Sequence, residues 1–141
     1  MMVEVLFKKL RPAATLPTYA KMGDAGMDIY AFGNWIIPVG ATRVIDTGIA
    51  MAIPYGFYGS GRERSGLAAR GIRLGGGVID SGYRGEVRAV LTNFGNEPLQ
   101  ILQGDRIFQI IIRPLPTVIL KEVEELPESE RGEGGFGSTG I

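Results

Sequence analysis

Glycine and proline punctuate this chain so densely that helices of ordinary length have no room. There are 22 glycines and 8 prolines in 141 residues, and only Met1 to Arg11 runs past 10 residues without either. A helix interior tolerates both poorly, at roughly 1 kcal/mol for glycine and 3 kcal/mol for proline. Many short strands joined by tight turns are the alternative. The spacing predicts an all-β chain with one short helix at Ser65 to Arg70, capped by Ser65.

Val3 to Leu10 reads as a first strand, and Arg11 to Lys21 as an extended connection broken by Pro12 and Pro17. Met27 to Ala31, Trp35 to Val39 and Thr42 to Asp46 follow as strands, with Ile49 to Ile53 expected to pair back across the Asp46-Thr47-Gly48 turn. Phe57 to Arg62 is another strand. Glu86 to Asn93 alternates, with Val87, Ala89 and Leu91 opposite Arg88, Val90 and Thr92. Leu99 to Leu102 is short, and Ile107 to Ile112 is apolar enough for the deep core. Thr117 to Leu126 suits either an edge strand or one short helix.

The length fits one domain that buries a core without disulfides or a metal staple. Composition shifts at Pro127, which divides the chain into a β domain, 1–126, and a glycine-rich arm, 127–141, expected to be mobile without a ligand. The chain has no cysteine and no histidine. That excludes thiolate sites, imidazole metal sites and Ser–His or Cys–His nucleophiles. Acid–base chemistry must rest on Asp, Glu, Lys, Tyr or a bound metal. The 15 Lys and Arg balance 15 Asp and Glu, which argues against a general nucleic-acid binder. No apolar run reaches membrane-spanning length, and Lys8, Lys9 and Arg11 lead into no apolar segment. A cytoplasmic protein is the expectation.

Gly75 to Val87 (Gly-Gly-Gly-Val-Ile-Asp-Ser-Gly-Tyr-Arg-Gly-Glu-Val) is the richest stretch. Three glycines bare the backbone, Val78 and Ile79 form a short strand, and Ser81-Gly82 turns the chain so that Asp80 and Tyr83 lie close. A nucleotide pocket with Asp80 as base and Tyr83 as sugar wall fits this pattern; so does an ordinary hairpin. Gly61-Arg-Glu-Arg-Ser-Gly66 suits phosphates at a helix start, or is a plain cap with surface arginines. Asp24 and Asp28 suit Mg2+ beside phosphates, or are turn residues. Gln109 is one amide inside an apolar run and needs a polar partner. Trp35 reads as packing. The tail holds Gly132, Gly134 and Gly137 in G-x-G-x-x-G spacing, but with no helix to follow, so dinucleotide binding is rejected. Its glycines, Arg131, Ser138 and Thr139 could still converge on an anion and Phe136 offer a stacking face, or the tail is simply a disordered end.

Five blocks in order resemble the motifs of the trimeric deoxyuridine triphosphatase (dUTPase) family. They are Ala25-Gly-Met-Asp-Ile-Tyr30, Gly61-Arg-Glu-Arg-Ser-Gly-Leu67, Gly77-Val-Ile-Asp-Ser-Gly-Tyr-Arg-Gly85, Gly104-Asp-Arg-Ile-Phe-Gln109 and Arg131-Gly-Glu-Gly-Gly-Phe-Gly-Ser-Thr-Gly140. The resemblance implies a β-clip, jelly-roll-like homotrimer with active sites between subunits, each closed by the arm of another chain. It implies hydrolysis of dUTP to dUMP and pyrophosphate with Mg2+. By position, Asp80 resembles the base that activates water, and Tyr83 the ring under the deoxyribose. The resemblance also implies that the backbone of Gly77, Val78 and Ile79 faces uracil. Arg64, Ser65, Gly66 and Gln109 resemble the phosphate set. Arg131, Gly137, Ser138 and Thr139 come from the arm, with Phe136 on the base. Asp28 matches an acid on the metal side, reaching it directly or through water.

Phe108 stands where a small residue is usual, and Glu63 where a proline is frequent. The related dCTP deaminases share the fold, but their catalytic glutamate falls at Val90 here, against deamination. Two other classes remain open from sequence: a nucleotide-sensing, protein-binding module on the same fold, and a β-sandwich interaction domain without a small ligand.

Overall fold

In the computed structural model, which describes residues 1–140, no strand exceeds 9 residues and the helix α1 has 5. The strands are β1 (Leu6–Lys9), β2 (Met27–Tyr30), β3 (Trp35–Ile37), β4 (Thr42–Asp46) and β5 (Ile49–Ala52). β6 (Phe57–Arg62) precedes α1 (Ser65–Ala69). Then come β7 (Ile72–Gly75), β8 (Val78–Ile79), β9 (Arg88–Asn93), β10 (Leu99–Ile101) and β11 (Arg106–Pro114). The nearly all-β architecture with one short helix is the one that the glycine and proline spacing predicts.

Every strand pairing is antiparallel. A four-stranded sheet runs β2-β11-β6-β8 and a three-stranded sheet β4-β9-β7, with two-stranded sheets β1-β5 and β10-β3. Ile29, Ile37, Ile45, Ile49, Leu91 and Ile110 are wholly buried between them. Each such side chain contributes about 1.5–3 kcal/mol through burial. β9 alternates as expected, with Ala89, Leu91 and Asn93 inward. The buried Asn93 amide donates to the Ile37 and Glu97 carbonyls at 2.9 Å each, and its oxygen accepts from Gly95 N–H, so the polar group is satisfied. Trp35 packs against the core and donates to the Phe32 carbonyl at 2.8 Å.

Several local expectations give way to long-range pairing. β5 pairs with β1, not with β4, whose partner is β9. β8 (Val78–Ile79) pairs with β6, and Asp80 to Tyr83 form a turn, marked by Tyr83 N–H to the Asp80 carbonyl at 3.1 Å, so the stretch is not a two-stranded hairpin. Ser65 is the first helical residue; the cap position is Arg64, without a side-chain cap bond. Thr117 to Leu126 forms neither strand nor helix, and exposed irregular chain begins at Leu115, ahead of Pro127. Among the described residues no helix is long and apolar enough to cross a membrane.

Candidate active site

The four-stranded sheet gathers one set of polar groups at one end. β2 and β11 are in register at Asp28 and Gln109, and Gln109 also lies opposite Arg62 of β6. The chain leaving β6 therefore carries Arg64, Ser65 and Gly66 past Asp28 and Gln109. These residues, with Asp24, Gly26 and Arg106, line a cleft of about 370 Å³.

Inside that cleft the charges are organised. Asp28 Oδ1 is 3.2 Å from Arg64 Nε, and its Oδ2 is 3.8 Å from Arg106 Nη1. The Gln109 amide, odd in sequence, donates to the Glu63 carbonyl at 3.0 Å. Gly26 leaves the room its carbonyl end occupies, since a β-carbon there would strike Gln109 Oε1. Glu63 in turn accepts Leu74 N–H at 2.9 Å. That bond, with a further backbone bond of its own, holds the Glu63 carboxyl below its usual range despite partial burial. The phosphate-type loop is thus tied to β7, which leads into the glycine run. Neither Arg106 nor Glu63 is given a site role by the sequence. Their roles depend on partners distant in the chain.

The second set lies at the opposite end of β8. Gly76 turns the chain with φ +57°, a left-handed conformation that glycine adopts without strain. Gly77 is pressed against β6: Gly61 N–H donates to the Gly77 carbonyl at 2.5 Å, and a β-carbon at Gly77 would lie 2.8 Å from the Gly61 carbonyl oxygen. Close strand approach therefore explains this glycine. Asp80 and Tyr83 then emerge on a pocket of about 200 Å³, with Val78, Ile79 and Glu86 in its walls. The Asp80 side chain is exposed, and among the described residues nothing bonds its carboxylate. Tyr83 folds back so that its hydroxyl donates to the Glu86 carbonyl at 2.7 Å.

The two clefts share no residue. β6 and β8 are antiparallel, with Ile79 opposite Gly59. From that level to Arg62 is about 10 Å of strand, and Arg64 lies beyond. Asp80 leaves in the other direction. A single chain brings Asp28, Arg64, Ser65, Gly66 and Gln109 together, and Asp80 with Tyr83, but not the two groups with each other.

The arm stands apart from both. Arg131 Nε donates to the Gly134 carbonyl at 2.7 Å, Gly132 N–H reaches Ser129 Oγ, and Ser138 N–H reaches the Gly135 carbonyl. Phe136 is fully exposed with φ +50°, in a region that non-glycine residues rarely adopt. Gly137, Ser138 and Thr139 are exposed beside it.

A family model described as dUTPase matches residues 13–140. The chain is 45% identical over 141 residues to the deoxyuridine 5′-triphosphate nucleotidohydrolase of Clostridium kluyveri, covering 98% of this chain and 99% of that one. Among solved structures, a dUTPase mutant of Staphylococcus bacteriophage 80alpha with dUpNHpp superposes with a TM-score of 0.92 at 29% identity, covering 98% and 99% of the two chains. A mutant dUTPase from phage phi11 of S. aureus, described with a coordinated structural Mg(II) ion, gives 0.82 at 26% identity, covering 89% and 99%.

Proposed function

The chain belongs to the dUTPase family, and from that premise we propose that it hydrolyses dUTP to dUMP and pyrophosphate in the cytoplasm, within sites shared between the subunits of a homotrimer. The observation that carries this is the exposed, unpaired carboxylate of Asp80 beside the Tyr83 ring in one small pocket. Asp80 takes a proton from a water. That water attacks the α-phosphorus in line, and the bond to the bridging oxygen breaks to release pyrophosphate. Without histidine or cysteine, a carboxylate is the natural base. Tyr83 packs against the deoxyribose, and the main chain of Gly77, Val78 and Ile79 pairs with the uracil edge.

The separation of the two clefts supports a site built from two copies. One supplies Asp80 and Tyr83; a neighbour supplies Arg64, Ser65, Gly66 and Gln109 to the phosphates. The arm crosses to close the site, with Arg131, Ser138 and Thr139 on the terminal phosphate, Gly137 allowing close approach and Phe136 on the base. Its exposure, and the exposed Val118, Ile119 and Leu120 leading to it, fit a segment that packs on another chain.

Mg2+ fits the donors present. Among the described residues no group of three or more acidic, histidine or cysteine side chains could hold a metal unaided. Asp24 and Asp28 nevertheless line the phosphate cleft, and Mg2+ binds through one or two carboxylates, substrate phosphates and waters. Asp28, held by two guanidinium groups, would hold the ion directly or through water. When bound there, Mg2+ would supply neutralisation of the phosphate charge. Pyrophosphate release with dUTP, UTP, dCTP and dTTP in the presence of Mg2+ tests the proposal. Turnover is expected with dUTP and at least a hundredfold less with the others; comparable turnover of dCTP or UTP counts against it.

A further inference from the structure

The Glu86 carboxylate is a nearly buried acid that the mechanism above does not use. Its side chain is 9% exposed. Oε2 accepts from Thr47 N–H and Gly48 N–H, each at 3.2 Å, and so fills the turn between β4 and β5. Arg88 Nη2 lies 3.7 Å from Oε1, while Arg88 Nε is engaged by Asp46 at 2.9 Å. The flanking residues of that turn, Ile45 and Ile49, are wholly buried. Glu86 therefore ties its own backbone to the rigid core.

That backbone carries the Tyr83 hydroxyl, bonded to the Glu86 carbonyl at 2.7 Å. The hydroxyl end of the ring also lies close against Gly85. A β-carbon there would meet the hydroxyl at 2.5 Å and ring carbons at 2.7 and 2.9 Å. The aromatic ring is fixed at both ends: at its own Cα on an exposed turn, and at its hydroxyl on a core-anchored carbonyl. A ring tethered only at its Cα would move between rotamers.

We propose that Glu86 is a positioning residue that holds the Tyr83 ring and thereby sets how strongly the site rejects a ribonucleotide relative to its 2′-deoxy counterpart. This rests on Tyr83 acting as the sugar wall. An added 2′-hydroxyl is rejected only if the wall cannot retreat. The two backbone N–H bonds to the Glu86 carboxylate resist that retreat. The missing β-carbon at Gly85, which leaves room for the end of the ring, is part of the same device.

The test is the ratio of kcat/KM for dUTP to that for UTP, measured with Mg2+ in wild type, Glu86→Ala, Glu86→Gln, Gly85→Ala and Tyr83→Ala. Glu86→Ala is expected to lower the ratio at least tenfold. Glu86→Gln, whose amide oxygen still accepts from the turn, keeps most of it. Gly85→Ala displaces the hydroxyl without touching Glu86 and lowers it similarly. A merely structural role would reduce Tm and both kcat/KM values together at constant ratio, and that result overturns the proposal. If Glu86→Ala fails to fold, Glu86→Asp, one methylene short of the turn, takes its place with the same expectation. A wild-type ratio in Tyr83→Ala removes the sugar-wall premise. A lowered ratio there, with unchanged ratios in the Glu86 and Gly85 variants, overturns the role of Glu86 alone.

Discussion

Replacing Gly77 by alanine puts a β-carbon 2.8 Å from the Gly61 carbonyl oxygen and 3.4 Å from both the Gly61 carbonyl carbon and a Leu74 methyl. The nearest of these is backbone, held by the Gly61 N–H bond to the Gly77 carbonyl. Neither strand can yield without disturbing the pairing of β6 with β8 at Ser60–Val78. Overpacking of this kind costs about 1–3 kcal/mol. For a chain of this length that is roughly 3–9 °C in Tm. Gly75 is the control, two residues earlier in the same glycine run. A β-carbon there meets only Val90, at 3.7 Å and beyond, an ordinary contact. Alanine at 75 should be neutral, or stabilising by about 0.4–1 kcal/mol through the unfolded chain. Urea titration of both variants gives the difference directly. Because Asp80 lies three residues beyond Gly77, kcat/KM for dUTP should fall about a hundredfold in Gly77→Ala, the scale of a 1 Å misplacement. Equal destabilisation by the two alanines, or a greater loss in Gly75→Ala, would refute the packing argument.

Asp28→Asn should lower stability by only about 1 kcal/mol, because Arg64 is a third exposed and the Arg106 contact is long; it should raise KM for dUTP at least tenfold by freeing Arg64, and unchanged kinetics would disconnect the pair from phosphate binding. Glu63→Gln tests the depressed Glu63 carboxyl. The native charge is favoured, so its contribution is present above the ordinary glutamate range and lost as pH falls through and below it. The wild-type advantage over Glu63→Gln in thermal unfolding should therefore be present at pH 7 and shrink as pH falls below the ordinary glutamate range; an advantage that grows in acid contradicts the assignment. Ending the chain at Glu130 should leave Tm within about 2 °C, since the removed residues 131–140 are largely exposed, while turnover drops at least a hundredfold. Wild-type turnover in the shortened chain would remove the arm from the mechanism.

Local signals in the sequence located elements well and partners poorly. β4 and β6 match their expected bounds: Gly40 and Gly48 bracket the first, and Gly56 opens the second. The inward face of β9 follows from simple alternation. The expected β4–β5 hairpin fails for a physical reason. The Thr47 hydroxyl bonds the Val87 carbonyl, and Glu86 takes the Thr47 and Gly48 N–H groups, so the turn is bound to the start of β9 and not closed on itself. Nothing local announces that. Asp80, Tyr83, Arg64 and Gln109 were legible as chemistry-bearing residues. Their division between two clefts was not, because it follows from the antiparallel pairing of β6 with β8. Glu86 gave no signal: it sits on the polar side of an ordinary alternating run. Thr117 to Leu126 has strand-like residues but no partner among the described residues, and short apolar segments do not become strands alone.

The central claim is that Asp80 of one copy acts on phosphates held by Arg64 of another. Co-expression of Asp80→Asn with Arg64→Ala in equal amounts tests it most directly. Each variant alone should release almost no pyrophosphate from dUTP. If subunits mix freely, about a quarter of the sites in the mixed assemblies pair an intact Asp80 with an intact Arg64. The account predicts recovery of close to a quarter of wild-type turnover; a mixture as inactive as its parents, or an Asp80→Asn protein that works by itself, would contradict it.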